Sequence, residues 1–297
     1  MKILIIGSEG FIGQNLCAYF SDKVNYTVFF ADIVDQVKDN YFKIKTDEED
    51  FYLLFKSKEY DVCINASGSG SVGFSNANPL LDYKLNTLNV FLILDAIRTH
   101  NPNCKFINFS SAAVYGNSLQ FPIIEQQESK PVSPYGWHKL MSEVICKEFF
   151  IQHNIQTLSL RVFSVYGSKL QKQLFWDVYQ KALISKTINL QGTGEETRDF
   201  IYIDDLCQAV EKIILNCTFN ADVINVASGQ ATSIKNAVTL FLNQLNSNFK
   251  ISFNNSVRIG DPIHYLADVT KLKQIGFSTR LSIQQGLEQY TNWLKNK

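Results

Sequence analysis

Near its start the chain reads Ile3-Leu4-Ile5-Ile6-Gly7-Ser8-Glu9-Gly10-Phe11-Ile12-Gly13, an apolar run followed by three glycines and the start of an amphipathic segment. This pattern predicts a buried strand, a tight turn and a helix. Glycines permit the turn and let a pyrophosphate approach the backbone, and the free N–H groups and dipole of the helix start attract it. Because the spacing is GxxGxxG rather than GxGxxG, a plain structural turn is the alternative.

An acidic residue further along supports a dinucleotide at this loop. Asp32 lies 19 residues after Gly13, at the end of the next apolar run. A carboxylate there can accept hydrogen bonds from the adenosine ribose hydroxyls, and it would repel a 2′-phosphate. The sequence therefore predicts NAD, in preference to NADP, as the cofactor. The residues predicted to bind it here are Gly7, Gly10, Phe11, Ile12, Gly13 and Asp32.

Strand-like and helical segments alternate through the first two-thirds of the chain. Strands are predicted at 61–65, 105–109 and 156–162, and helices at 80–99 and 134–153. Continuous apolar strands separated by helices indicate a parallel sheet covered on both faces. We therefore expect an α/β fold with a Rossmann-type doubly wound parallel sheet and a smaller, interleaved α/β substrate-binding domain. The cofactor domain is expected to take 1–165 and about 200–227, and the substrate domain about 166–199 and 228–297.

Composition excludes several classes of partner. Lys+Arg and Asp+Glu both total 28, so the balance of charge favours neither a nucleic acid nor a membrane surface as partner. The six cysteines include no CxxC pair, which indicates free thiols in a reducing compartment, and the four histidines lack metal-ligand spacing. No signal core or apolar membrane span is apparent, so we expect a cytoplasmic protein without a metal.

A YxxxK pattern at Tyr135 and Lys139 suggests proton and hydride chemistry. The i,i+4 spacing places both side chains on one helix face, where the ammonium lowers the pKa of the phenol. Tyr135 can then exchange a proton with a substrate hydroxyl while a hydride moves to or from the cofactor. The pattern alone is weak, because it also occurs at Tyr19/Lys23, Tyr41/Lys45 and Tyr52/Lys56.

Position distinguishes the four matches. Of them, Tyr135 is the one that follows the pair Ser110-Ser111 at the end of a predicted parallel strand, the edge at which open α/β sheets bind ligands. Ser111 could share a short hydrogen bond with the substrate oxygen, although a turn or helix-cap serine is the ordinary alternative. We predict Ser111, Tyr135 and Lys139 as the catalytic residues.

The chain as a whole resembles the extended short-chain dehydrogenases/reductases that modify nucleotide sugars, such as the UDP-galactose 4-epimerases. The matching pieces are the glycine loop at 7–13, Asp32, Asn65-Ala66-Ser67-Gly68, Ser-Ser-Ala-Ala-Val-Tyr-Gly at 110–116, Ser133-Pro134-Tyr135-Gly136, Arg-Val-Phe-Ser-Val-Tyr-Gly at 161–167, the segment 192–202 and Arg258-Ile259-Gly260-Asp261. Together these motifs are specific to the family, though not to one reaction.

The resemblance implies further roles. Ser111, Tyr135 and Lys139 match the family's catalytic residues, and Lys139 would also hold the nicotinamide ribose. Asp47 matches a carboxylate near the adenine amine, and the cofactor would also touch Ala66, Ser67 and Gly68. The substrate implied is a nucleotide-diphosphate sugar. The residues that match its binding positions are Ser111, Ser164, Arg198, Arg258 and Tyr265.

Two alanines help to distinguish among the reactions that the family catalyses. Similar dehydratases carry an Asp-Glu pair directly after the catalytic Ser or Thr, and the similar decarboxylases carry an acidic residue there. This chain has Ala112 and Ala113, which cannot transfer protons. We therefore expect a 4-epimerase that acts through a transient 4-keto sugar. The rival is a 4-keto reductase or sugar 4-dehydrogenase, because Ser164 stands where the family usually has Asn.

Two further expectations concern partners and catalysis. Loss of activity, with retention of NAD in a regulator or scaffold, is a third possibility, but such chains usually lose the Tyr or the Lys. The resemblance also implies a homodimer formed by the helix after Pro79 and the Tyr135 helix. The apolar residues Leu88, Phe91, Leu92 and Leu94 suit that helix, although they would equally serve an intramolecular core.

Overall fold

A computed structural model describes residues 1–45, 48–245, 248–256 and 263–297. In chain order its strands are β1 (Lys2–Ile6), β2 (Thr27–Asp32), β3 (Tyr41–Lys43), β4 (Val62–Asn65), β5 (Lys105–Ser111), β6 (Thr157–Val162), β7 (Ser164–Tyr166), β8 (Thr187–Leu190), β9 (Thr197–Tyr202), β10 (Asp222–Val226), β11 (Ala231–Ser233) and β12 (Lys250–Phe253). Asp47 and Arg258 lie outside the described residues.

The helices alternate with these strands over most of the chain. They are α1 (Phe11–Ser21), α2 (Glu48–Ser57), α3 (Val72–Ala77), α4 (Pro79–Tyr83), α5 (Asn89–His100), α6 (Pro134–His153), α7 (Gln173–Ile184), α8 (Ile203–Asn216), α9 (Ile234–Gln244), α10 (Thr270–Gln274) and α11 (Ile283–Lys295). A π-helical segment, Lys84–Leu88, joins α4 to α5, and a 3₁₀ turn, Ala112–Tyr115, follows β5.

Seven strands form the main sheet in the order β10-β6-β5-β4-β1-β2-β3, with every neighbouring pair parallel. The chain reverses its direction of travel across the sheet between β1 and β4. In a doubly wound sheet a ligand binds at that switch point, outside the carboxyl ends of the strands. The predicted α/β doubly wound fold is confirmed.

Alternate residues of β1 supply two separate cores, one on each face of the sheet. Ile3 and Ile5 belong to one apolar cluster, and Leu4 and Ile6 belong to the other, and none of the four is more than 2% exposed. A strand that is buried on both faces needs an uninterrupted apolar run, which is what the sequence has there.

Smaller sheets lie beyond the main one. β9 pairs in parallel with β7 and antiparallel with β11, while β8 and β12 form a parallel pair. The main sheet takes its last strand, β10, from within this stretch, after β9 and before β11. The strands of the main sheet and those of the smaller sheets therefore alternate along the chain.

The predicted helix 80–99 differs from the observed structure. It is divided into α4, the π-helical segment and α5, and the π-helical turn buries Asn86 and Thr87 against α6. A π-turn accommodates an extra residue within the helix and often occurs at a functional site. Hydrophobic spacing does not reveal it, because the residues on either side keep ordinary helical periodicity.

Candidate active site

The glycine loop after β1 packs too closely for any side chain. Gly7 has a φ of +82°, and a Cβ there would lie 2.6 Å from the backbone nitrogen of Ser67 in the loop after β4. A Cβ at Gly13 would lie 1.9 Å from the carbonyl oxygen of Gly7. Gly10 caps α1 without a side-chain hydrogen bond, and the first turn has no acidic residue. This backbone cradle at a helix start fits a pyrophosphate.

Asp32 lies at the end of β2, beside this loop. Its Oδ2 accepts a hydrogen bond of 2.8 Å from the backbone N–H of Glu9, and its Oδ1 accepts one of 2.7 Å from Ile33. A carboxylate has lone pairs to spare after two such bonds, so ribose hydroxyls could still bind it. The predicted contact with the adenosine ribose stays a prediction, and Asp32 also fixes the shape of the loop.

The loop after β4 provides the next wall. The Ser67 hydroxyl donates to Asn65 Oδ1 at 2.6 Å, and Gly68 has a φ of +105°. A Cβ at Gly68 would lie 2.5 Å from Asn86 Oδ1, which is buried and has no hydrogen-bond partner within the described part of the chain. A buried oxygen without a donor is costly, and a bound polar ligand would satisfy it. Sequence analysis missed Asn86, since no spacing links it to Gly68.

The three predicted catalytic residues meet at the carboxyl end of β5. Ser111 is its last residue, and Tyr135 and Lys139 lie one turn apart at the start of α6. Ser133 caps that helix by accepting a bond from Gly136 N–H, and Pro134 occupies its first position. The backbone N–H of Tyr135 also donates to Ser75 Oγ at 3.1 Å. The helix start that carries Tyr135 is therefore fixed on two sides.

Burial sets the protonation of this group. Burial raises the pKa of the Tyr135 phenol to about 12, against the lowering expected from the sequence, and a hydrogen bond with the Ser111 side chain acts in the opposite direction. Burial lowers the pKa of Lys139 to about 8. The Lys139 ammonium donates to the Phe109 carbonyl at 2.8 Å and lies 5.9 Å from the centre of the Tyr135 ring. A cationic group beside the phenol favours its ionised form.

The structure brings two of the predicted substrate residues to the same edge. The Arg198 guanidinium carbon lies 5.8 Å from the centre of the Tyr265 ring, and the Tyr265 hydroxyl donates to the Ala112 carbonyl at 2.8 Å. Tyr265 therefore braces the turn that follows Ser111. Ser164 begins β7 and is half-buried. The predicted contacts of these residues with substrate stay predictions, and Arg258 lies outside the described residues.

Asp199 is a residue that the sequence analysis did not single out. It is fully buried next to Arg198, and its carboxylate accepts hydrogen bonds from the backbone N–H groups of Ser228, Gly229 and Ala267. Burial nevertheless raises its pKa, and the bonds from Ser228 and the backbone oppose that effect. Asp199 thus joins β9 to the loop after β10 and to the residues that directly follow Tyr265. Only its position beside Arg198 could have indicated it.

The fold and this site define a dinucleotide-dependent enzyme of the extended short-chain dehydrogenase/reductase type, because a nucleotide cradle and a Ser-Tyr-Lys group share the edge of a doubly wound sheet. The chain belongs to the NAD dependent epimerase/dehydratase family, whose sequence model matches residues 3–227. It is an NAD-dependent enzyme, as the sequence predicted.

Named relatives span the whole chain. A putative UDP-glucose 4-epimerase of Methanocaldococcus jannaschii is 24% identical over 308 residues, which is 99% of this chain and 98% of the relative. The crystal structure of UDP-glucuronic acid 4-epimerase from Bacillus cereus, in complex with UDP-glucuronic acid and NAD, has a TM-score of 0.90 at 25% identity and covers 100% of this chain and 99% of that one. UDP-N-acetylglucosamine 4-epimerase from Methanobrevibacter ruminantium M1 has a TM-score of 0.88 at 25% identity, with 99% and 98% covered.

Across the described ranges, no helix combines the length and the apolar character that crossing a membrane requires.

Proposed function

We propose that the protein is an NAD-dependent 4-epimerase of a nucleotide-diphosphate sugar. The observation that carries the proposal is the meeting of Ser111, Tyr135 and Lys139 at the end of β5, on the same sheet edge as the glycine loop. The relatives support it, since proteins named as UDP-sugar 4-epimerases match the chain from end to end.

Each residue of the group has a task in this reaction. Tyr135 Oη takes the proton of the sugar 4-hydroxyl and later returns it, while the Ser111 hydroxyl hydrogen-bonds the same sugar oxygen. The Lys139 ammonium favours the phenolate that starts the reaction. When bound, NAD would supply the acceptor for the hydride of the sugar C4, and the glycine loop and Asp32 are the parts of the chain that would hold it. Between the two proton transfers at Tyr135 the 4-keto sugar would turn over in the site, which inverts C4.

The substrate end of the site suits a diphosphate. Arg198 presents a guanidinium beside the Tyr265 ring, and a guanidinium can bind two phosphate oxygens at once. Ala112 and Ala113 occupy the turn directly after Ser111, where they offer no acid or base to remove water from the sugar. We therefore assign hydride transfer at C4 without dehydration.

The alternative reaction is 4-keto reduction or 4-dehydrogenation, and Ser164 is the residue that favours it. Ser is shorter than the Asn usual in the family, so the sugar can sit differently against β7. The two activities differ in their cofactor balance. An epimerase leaves NAD unchanged over many turnovers, whereas a reductase or dehydrogenase consumes one dinucleotide for each sugar.

The test is to follow candidate UDP-, dTDP-, GDP- and CDP-sugars by proton NMR with catalytic NAD, while absorbance at 340 nm reports net reduction. We expect interconversion of 4-epimers without accumulation of NADH. Tyr135→Phe should reduce turnover by about 10²–10⁴-fold and leave NAD bound. Tyr19→Phe is the matched control, since Tyr19 also begins a YxxxK but donates to Glu211, far from the site. Formation of one NADH for each sugar converted would show a 4-dehydrogenase instead of an epimerase. Near-normal turnover by Tyr135→Phe would contradict the catalytic role of Tyr135.

We further propose a homodimer through α4, α5 and α6. Leu94 is fully buried and belongs to the core, whereas Phe91 is 39% exposed. Other exposed apolar residues on these helices support a second copy as partner: Leu80, Leu81, Trp137, Met141, Val144 and Ile151. Val144→Glu should give a monomer in sedimentation velocity, while Leu183→Glu, on the exposed side of α7, should not. A monomeric wild-type protein would contradict the proposal.

The remaining parts of the proposal concern organisation and location. We assign 1–165 and about 200–227 to NAD, and about 166–199 and 228–297 to the nucleotide sugar. The six cysteines are unpaired, which supports a reducing compartment such as the cytoplasm. Limited proteolysis with and without ligands tests the division, because NAD should protect sites in the first set and the nucleotide sugar sites in the second.

A further inference from the structure

A buried acid–base pair lies beside the catalytic group and has no task in the proposed reaction. The Asp82 side chain, on α4, is fully buried, and its Oδ2 lies 2.6 Å from His138 Nδ1 on α6. Its other oxygen accepts a bond of 3.0 Å from Asn86 Nδ2. His138 directly precedes Lys139 in the chain. We call Asp82 and His138 the buried pair.

The π-helical segment and the residue before it make further contacts with His138. The Thr87 hydroxyl donates to the His138 backbone carbonyl at 3.0 Å, and the Tyr83 ring lies 5.6 Å from the imidazole, edge to face. His138 is thus held through both its side chain and its main chain. Because Tyr135 and Lys139 share its helical turn, their positions depend on the same contacts.

Asn86 extends these contacts to the cofactor loop. Its amide nitrogen binds Asp82, while its unpartnered oxygen faces the backbone of Gly68. A line of polar contacts therefore runs from the catalytic helix, through the buried carboxylate, to the loop after β4. The extra residue of the π-turn places Asn86 where it reaches both.

The charge of Asp82 acts on the catalytic residues. It raises the pKa of Lys139, against the larger lowering by burial, and it also raises the pKa of Tyr135. Two other carboxylates on these helices bind arginines instead: Glu143 binds Arg161, and Asp95 binds Arg98. Lys84, Lys147 and Glu148 are exposed. A wholly buried carboxylate is costly without a close donor, which His138 supplies.

We propose that Asp82 and His138 are positioning residues: the buried carboxylate binds His138 and so fixes the turn of α6 that carries Tyr135 and Lys139, and its negative charge favours the ammonium of Lys139. The inference rests on the proposed function, since it assumes that Lys139 assists Tyr135. It predicts that the pair sets the upper pH limit of turnover as well as the geometry of the helix.

Four variants of the NAD-loaded enzyme test this. Asp82→Asn keeps the shape and removes the charge. His138→Phe removes the donor, while in His138→Asn the amide can take the place of the Nδ1–H group. Glu148→Gln removes a carboxylate from the exposed side of α6 and serves as the control. Turnover is measured from pH 6 to 10, and NAD content and Tm are recorded for each variant.

Loss of the Asp82 charge lets the pKa of Lys139 fall further, so the ammonium disappears at a lower pH. We expect the alkaline limb of kcat to move down by about one pH unit in Asp82→Asn. His138→Phe should shift it in the same direction, because the Asp82 carboxylate then loses the contact that holds it against α6. His138→Asn should restore the wild-type limb, and Glu148→Gln should leave it in place. If the alkaline limb of kcat lies at the same pH in wild type and in Asp82→Asn, the inference is overturned.

A second measurement separates this inference from the proposed function. Lysine labelled with ¹³C at Cε reports the titration of Lys139 by NMR, with the signal assigned by its loss in Lys139→Arg. The midpoint should lie lower in Asp82→Asn than in wild type, whether or not any sugar is turned over. If no nucleotide sugar reacts but the midpoint moves, the epimerase proposal fails and the electrostatic role stands. An unmoved midpoint rejects the role even in an active enzyme.

Discussion

Gly13→Ala should damage cofactor binding far more than its single methyl group suggests. The new Cβ would lie 1.9 Å from the Gly7 carbonyl oxygen and 2.9 Å from Ser8 Cα, whereas ordinary contacts begin at 3.4 Å. The loop or the helix start must therefore move by about 1.5 Å, since these are backbone atoms that cannot rotate away. Overpacking of this kind costs about 1–3 kcal/mol.

The displaced atoms are those that would hold the pyrophosphate. We expect the affinity for NAD to fall by at least about tenfold, the equivalent of 1.4 kcal/mol, because the backbone N–H groups of α1 no longer converge on one anion. Isothermal titration calorimetry with NAD measures the affinity, and differential scanning calorimetry without NAD measures the Tm.

The matched control is Gly73→Ala on α3. A Cβ at Gly73 meets nothing closer than Ser71 Oγ at 3.9 Å, and Gly73 lies inside an exposed helix. This substitution should keep NAD affinity and raise stability by about 0.5–1 kcal/mol, since alanine is the better helix former. If Gly13→Ala binds NAD as tightly as Gly73→Ala, the close-approach reasoning is refuted.

Three other substitutions have expected outcomes. Lys139→Met removes an ammonium whose pKa burial lowers to about 8. In the wild type the cost of burying that charge is fully present below pH 8 and is relieved as the pH rises towards 10.5, so the wild type gains stability over this range. In urea unfolding the stability of the variant relative to wild type should therefore fall by about 2–3 kcal/mol between pH 7 and 10, and a rise would contradict this reasoning. Asp32→Asn keeps an acceptor for Glu9 N–H but loses the charge, so its preference for NAD over NADP in direct binding assays should weaken by about tenfold or more; unchanged discrimination would leave Asp32 as a loop support. Arg161→Met leaves Glu143 buried without its 2.7 Å partner and should cost about 3–5 kcal/mol in chemical unfolding; a loss under 1 kcal/mol would mean that Glu143 has found another partner.

Local signals in the sequence predicted some elements closely. Helix α6 was expected at 134–153 and is found there, because Ser133 caps its start, Pro134 favours the first turn and Asn154 ends it in a left-handed conformation. Strand β1 was predictable for a related reason, since burial on both faces favours a continuous apolar run. The apolar residues of β5 and β6 are interrupted by buried polar ones, among them Asn108, Ser159 and Arg161. The catalytic group followed from two such elements that meet at one edge.

Other features depend on tertiary contacts, which the spacing of residues along the chain does not reveal. Asp82 and His138 are 56 positions apart and meet where α4 packs against α6. The Tyr265 hydroxyl bonds the Ala112 carbonyl, 153 positions away, a contact that no spacing in the sequence indicates. Helix α7 escaped prediction because Lys172 gives it no side-chain cap to mark its start.

Strand β10 comes late in the chain, and this affects how the main sheet forms during synthesis. Every residue of β6 is buried, and β10 covers its outer edge only after the ribosome has passed residue 226. Before that point the nascent chain carries β6 as an uncovered edge strand with open backbone groups, which is a template for pairing with other chains. A gene fragment ending near residue 165 should therefore aggregate rather than yield a free cofactor domain. Synthesis through β10 is the earliest stage at which the main sheet can close.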